Sequence, residues 1–332
     1  MSRKDTGAKA FLSDNSRFAD LCNYYLFDGQ QLLRADDLEP QDSTELVSSM
    51  TKNADVLNIQ KWRDILKRAV IKRTKSRIYV IIGIENQSEI HYAMPVRNML
   101  YDALDYSRQT NAIAVRHRAD RDFRTTPEFL SGFKRTDKLT PVITLTVYWG
   151  NDTWDAPKSL HEMMDTDDTE ILEYVSDYRL NLIVPNEITD FDKFKTSLGI
   201  VLAAIKYSSD EAAMEEFFNG NPQFRALDME TANAINTFTH LNLKFNKREE
   251  TADMCKAWDD HRLSGIREGR IESKIDLIMK KIKKGYTIEQ IADVLEDSIE
   301  GIKPIYDIIT SSSADYDAEQ VYKILTQTAA AV

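Results

Sequence analysis

The chain has 332 residues, 42% of them hydrophobic and 29% charged, which supplies a sizeable core and excludes a wholly disordered, collagen-like or disulfide-stapled protein. A formal net charge of −11 argues against indiscriminate electrostatic binding to a polyanion. No apolar run approaches the roughly 18 residues of a membrane span. No secretory signal follows Met1-Ser-Arg-Lys-Asp, and the two cysteines, Cys22 and Cys255, lie far apart and read as reduced thiols. The expectation is a cytoplasmic protein with no membrane partner.

Residues 1–15 read as a disordered tail. Residues 16–26 have helical spacing, with Phe18, Leu21, Tyr25 and Leu26 on one side and Asp28-Gly29 as the stop. A polar stretch over 34–52 follows. Segments 63–71 and 77–85 are rich in Ile and Val and are separated by 72–76, which predicts an antiparallel hairpin. Pro95 suits the first turn of a helix running to about residue 110. Val96, Leu100, Ala103 and Ser107 fall on one of its faces, and Arg97, Tyr101, Asp105 and Gln109 on another. Residues 142–149 and 178–184 are a third and a fourth strand, the latter closed by Pro185. Beyond it, 190–208, 211–219, 229–244 and 249–284 read as helices. Gly285 then stops a helix, and Thr287 with Gln290 forms a capping box for the next. This helix-turn-helix spacing leads into a segment too weakly charged to enter a major groove, so it predicts a small packing or oligomerisation module. The organisation expected is a catalytic-type α/β half over 16–186 and an all-helical region over 187–332.

Charge is unevenly distributed. From Lys61 to Arg77 bases surround a single acid, Asp64, and Arg116, Arg118, Arg121 and Arg124 form a second basic group. Such groups read either as solvated, salt-bridged surface or as a local phosphate-binding face.

The hairpin carries the most informative residues. If its turn centres on Thr74-Lys75, Asp64 and Glu85 lie directly opposite each other, with Cβ atoms roughly 4.5–5.5 Å apart. Alternation then puts Gln87 on the face of Glu85. Two carboxylates that close repel, and a bound divalent cation resolves the repulsion, since Mg²⁺ takes one or two carboxylates with waters and phosphate oxygens. Salt bridges to neighbouring bases on an exposed face are the other reading.

The run Ile82-Gly-Ile-Glu85-Asn-Gln87, followed by His91-Tyr-Ala-Met-Pro-Val-Arg97-Asn-Met-Leu-Tyr101 and on to Gln109, resembles the PD-(D/E)XK nuclease-type transposases, relatives of the recombination-promoting nucleases. Arg63-Asp64-Ile-Leu-Lys upstream is similar to the segment bearing that family's first metal-binding aspartate. Pro141 to Gly150 and the tail around Met254-Cys-Lys-Ala also resemble the family, so the likeness spans most of the chain. The resemblance implies a restriction-endonuclease-like mixed sheet flanked by helices. It also implies Mg²⁺- or Mn²⁺-dependent endonucleolytic cleavage of DNA, with Asp64 and Glu85 as metal ligands. Asp20 on the first helix is a looser match to an additional acidic ligand. Gln87 stands where the common motif has lysine, so it offers hydrogen bonds but no charge beside the scissile phosphate. Lys61, Arg68, Arg73, Arg97 and Gln109 are the expected DNA contacts, Arg97 being also the base placed to take over the lysine's electrostatic task. A homodimer would ease double-strand cleavage by a one-site subunit. The alternative is a catalytically silent DNA-binding or protein-interaction module that keeps the fold.

Other signals are weak. His161-Glu-Met-Met-Asp165 lacks the second histidine of a zinc protease motif, and there is no P-loop, GxGxxG or GxSxG.

Overall fold

The computed structural model describes residues 3–41, 64–73, 76–246, 249–311 and 316–329. The chain divides into two compact units. One runs to Asn242 and takes in the segment ending at Ala252; the other holds the helices from Asp253 onward. In the first unit the helices are α1 (Arg3–Ser13), α2 (Asn15–Phe27), α3 (Met94–Asp120), α4 (Thr126–Ser131), α5 (Thr169–Leu172), α6 (Ser197–Tyr207), α7 (Glu211–Asn219) and α8 (Met229–Thr239). Its main sheet contains β1 (Leu38–Pro40), β2 (Ile65–Arg73), β3 (Ser76–Gln87), β4 (Val142–Tyr148) and β5 (Asn181–Ile183), in that spatial order. The β1–β2 and β2–β3 pairs are antiparallel, whereas β3–β4 and β4–β5 are parallel, with α3 in the β3–β4 crossover. A two-residue pair, β6 (Leu227–Asp228) and β7 (Thr251–Ala252), lies apart from it. This is the mixed, helix-flanked α/β sheet of a restriction-endonuclease-like fold. No helix among the described residues is long and apolar enough to cross a membrane.

The hairpin forms as its composition predicts, because β-branched residues fill both strands and their alternation lays one apolar face against helices. On this back face Ile65, Ala69, Ile71, Val80, Ile82 and Ile84 are buried, with Leu145 and Val147 from β4. Each buried Ile or Leu contributes roughly 1.5–3 kcal/mol. Lys67 breaks the apolar pattern of this face and is nevertheless buried. Its ammonium donates to Ser13 O at 2.8 Å and Asn15 Oδ1 at 2.6 Å and lies 4.6 Å from the Phe18 ring centroid. The sheet is thereby tied to the α1–α2 junction, where Asp14 caps α2 by accepting from the Ser16 and Arg17 amides.

Two expectations change. The residues expected to be a disordered tail form α1, with Ala8, Phe11 and Leu12 buried and Arg17 lying 4.1 Å over the Phe11 ring. A helix of this length with one short apolar stripe is marginal in isolation, so docking supplies its stability. The first unit also extends well past residue 186. Asp20 of α2 accepts hydrogen bonds at the start of α6, whose Leu198, Val201, Leu202 and Ile205 are buried. A helical sequence does not reveal which body its apolar stripe will join.

The second unit contains α9 (Met254–Lys283), α10 (Ile288–Val294), α11 (Ile299–Ser311) and α12 (Ala318–Ala329). Gly285, at φ +80°, follows α9, and the Thr287–Gln290 capping box opens α10. Ile275, Ile278, Ile291, Ile302, Ile305 and Val321 form this unit's own core.

Cys22 is wholly buried, and burial pushes its thiol pKa far above the ordinary value, whereas Cys255 is partly exposed. A thiol reagent should therefore label Cys255 in the native protein and spare Cys22, with both reacting in denaturant. Rapid native labelling of Cys22, read by peptide mass, would contradict this packing.

Candidate functional site

The β2–β3 register runs without interruption from Arg73 opposite Ser76 to Ile65 opposite Ile84. Asp64, immediately before β2, therefore stands at the position facing Glu85. The same parity sets Asp64, Glu85 and Gln87 on the sheet face opposite to the one that α1 and α2 cover. All three are buried, Glu85 completely.

Burying two carboxylates together is costly unless fixed dipoles or charges compensate. The Asn86 amide donates to Asp64 Oδ2 at 2.9 Å. Arg97, in the first turn of α3, donates from Nη2 to Glu85 Oε2 at 2.9 Å and from Nε to the Tyr101 hydroxyl at 3.2 Å, one helical turn on. Burial pushes the Asp64 carboxyl above the ordinary carboxylate range, and the Asn86 amide, Lys9 and Arg97 pull it partly back. Burial likewise works against the charge on Arg97, but Glu85, Tyr101 and Asp64 outweigh it and hold the guanidinium more firmly protonated than usual.

Helix α3 turns its polar face to the sheet. Asn98 Nδ2 donates to Thr146 Oγ1 at 2.8 Å, and Asp102 accepts from Thr144 Oγ1 and from the Tyr178 hydroxyl, both at 2.6 Å. The Tyr106 hydroxyl accepts from the Val142 amide at 3.1 Å. Val96 and Leu100, by contrast, are 41% and 39% exposed. The inversion follows from the sheet face itself: a surface that carries Asp64, Glu85, Thr144 and Thr146 needs hydrogen-bonding partners from whatever covers it.

The other sequence-predicted site residues divide into two groups. Gln87 lies on the site face, its Nε2 donating to Asn86 O at 2.9 Å. Arg68 is exposed on the same face, farther along β2. Asp20 is not gathered with the pair: its carboxylate accepts from the Lys195 and Thr196 amides and from Thr196 Oγ1 at 2.6 Å, which fixes it as the anchor of α6. Gln109 braces the approach to β4, donating to Thr140 O at 3.0 Å and accepting from its amide at 2.7 Å. Lys61 and the side chain of Arg73 lie outside the described residues. Arg116, Arg118, Arg121 and Arg124 are all exposed, at and beyond the end of α3.

Three functional neighbours escaped the sequence reading. Asn86 orients Asp64 through its amide and anchors the strand through its side chain, which accepts from Trp149 Nε1 at 2.9 Å. A polar residue in an apolar slot of an Ile-rich strand was the available signal. Asn98 and Asp102 could be found only by knowing which face of α3 meets the sheet.

Among the described residues no group of three or more His, Cys, Asp or Glu side chains is placed to hold a metal ion. The Asp64–Glu85 pair alone meets the modest requirement of Mg²⁺, which keeps most of its waters.

Arg97→Met should destabilise the fold by about 3 kcal/mol, because Glu85 stays buried without its guanidinium. Arg97→Met combined with Glu85→Gln should recover most of that loss. Chemical denaturation reads both, and an additive double mutant would show that the ion pair carries no coupling.

No curated protein and no solved structure matches the chain. A family model described as "Putative transposase, YhgA-like" matches residues 9–233, more than half of the sequence and all of the sheet, α3 and the Asp64–Glu85 pair, and the chain belongs to that family.

Proposed function

We propose that the protein is a divalent-metal-dependent DNA endonuclease of the PD-(D/E)XK type, acting in the DNA transactions of a mobile element. The observation that carries this reading is the buried cross-strand Asp64–Glu85 pair beside a guanidinium, on a sheet face whose Thr144 and Thr146 hydrogen-bond to α3. Membership of a transposase family supports DNA as the substrate.

Asp64 and Glu85 would hold Mg²⁺ or Mn²⁺, which when bound lowers the pKa of a coordinated water and offsets charge on phosphate oxygens. The chain's own residues do the positioning. The Asn86 amide fixes the Asp64 carboxylate, and Arg97 fixes Glu85 while placing a permanent positive charge beside the pair. Gln87 supplies a neutral amide at the rim of the pair, able to hydrogen-bond a water or a phosphate oxygen. Arg68, exposed on the same face, is a backbone contact rather than a base reader.

A second reading has an observation of its own. The Arg97–Glu85 ion pair gives Glu85 a counter-charge without any metal, and Gln87 removes the catalytic lysine, as in a silent DNA-binding module.

Plasmid nicking separates the two. With Mg²⁺ the wild type should nick, and Asp64→Asn combined with Glu85→Gln should lower the rate by at least about 10²-fold. Mg²⁺ should also raise the melting temperature of the wild type and not of the double variant. Gln87→Lys should retain or raise cleavage. Equal nicking by wild type and double variant would overturn the assignment, and absence of both nicking and metal stabilisation would favour the silent module.

A further inference from the structure

The sheet face that holds the acidic pair changes character along the hairpin. Near α3 it is buried: Asp64, Leu66, Ile81, Gly83 and Glu85. Toward the turn the same face opens, and Arg68, Lys72, Arg77 and Tyr79 are exposed. Register places Tyr79 opposite Val70, with Arg77 two residues along its own strand and Arg68 and Lys72 at the diagonal positions of β2. Three cations therefore sit within one sheet neighbourhood of an aromatic ring that is 54% exposed. Lys72 pairs with Asp37, but Arg68 and Arg77 take no ion pair among the described residues. On a chain of net charge −11 this is a local cluster of bases, with Asp37 paired to Lys72 and Glu39 of β1 opposite Arg68.

An exposed tyrosine among cations at these spacings has the chemistry of a stacking platform on a backbone track. The ring offers a face for a base, and the flanking guanidinium groups offer contacts for the phosphates on either side of it. Only an unpaired base presents such a face, since in a duplex both faces are occupied by neighbouring pairs. Tyr79 and Glu85 share the face at a separation of about 20 Å, from the rise per residue of a strand. Between them Leu66, Ile81 and Val142 are buried with Tyr106 of α3, so the platform lies outside the covered part of the face.

We propose that the exposed end of this face, Tyr79 with Arg68 and Arg77, binds an unpaired segment of DNA about 20 Å from the Asp64–Glu85 pair, so that the substrate class is single-stranded or frayed DNA rather than intact duplex. The inference rests on the DNA-cleaving reading of that pair and deepens it.

Binding in EDTA tests it without cleavage. A fluorescent single strand and the blunt duplex of the same sequence are titrated with the full chain, by anisotropy, at several salt concentrations. The wild type should bind the single strand more tightly. Tyr79→Ala should weaken single-strand binding about tenfold, with much less effect on the duplex, and Tyr79→Phe should retain it. Arg68→Gln with Arg77→Gln should lower the slope of log affinity against log salt by about 1.4, the value for two phosphate contacts on a single strand. Thermal melts check that these exposed substitutions leave the fold intact. Tighter duplex binding, no loss with Tyr79→Ala, or equal loss with Tyr79→Phe would overturn the platform. If metal-dependent nicking of a duplex by wild type still depends on Asp64 and Glu85, only this inference fails. If neither form of DNA binds, the nuclease reading fails with it.

Discussion

The continuous register of the β2–β3 hairpin is the constraint on which the rest of the structure depends. Strand pairing has a side-chain period of two, so a slip of one residue would move Asp64 to the back face, among Ile82, Ile84 and the α1–α2 helices. Held in register, the hairpin gathers Asp64, Glu85 and Gln87 on one side and gives most of the other side to the apolar core, with Lys67 and Asn86 as its buried polar exceptions. Both exceptions are anchored, Lys67 to Ser13 and Asn15, and Asn86 to Trp149, whose ring stacks 4.3 Å from that of Phe238 on α8. The site strand is therefore held from behind by helices at both ends of the first unit's sequence.

A sheet face bearing acids cannot be covered by an ordinary amphipathic helix. Helix α3 meets it with Arg97, Asn98, Tyr101, Asp102 and Tyr106 and leaves Val96 and Leu100 toward solvent. Hydrogen bonds made in this low-dielectric layer are strong and their loss is expensive, which makes the interface rigid and specific. Rigidity of that kind is what a hydrolytic site requires, because the carboxylates must already point where charge will develop. The same rigidity serves a purely structural ion pair equally well, so the Arg97–Glu85 contact bears on both readings of the site.

The front face also carries a gradient, closed under α3 and open toward the hairpin turn. Cations and an aromatic ring stand at the open end and the acids at the closed end, with the apolar Leu66, Ile81 and Val142 cluster between them. On a chain of net charge −11, exposed bases gather on the hairpin and near the end of α3.

Much of this was legible in local patterning. Alternating Ile and Val predicted the hairpin, its turn position predicted Asp64 opposite Glu85, and the Thr287–Gln290 box marked the start of α10; each depends on residues close in sequence. The α1 helix was missed because Ala8, Phe11 and Leu12 acquire a partner only when the sheet and α8 are assembled. Asp20 matched an acidic ligand by position, yet a backbone some 175 residues away claims its carboxylate. Gln109 and Tyr101 share a helix face, but only contact with Thr140 and Arg97 assigned one to bracing and the other to the site. Periodicity specifies which side chains share a face. Which body that face meets, and whether a buried charge finds its counter-charge, is decided by long-range packing that no local window contains.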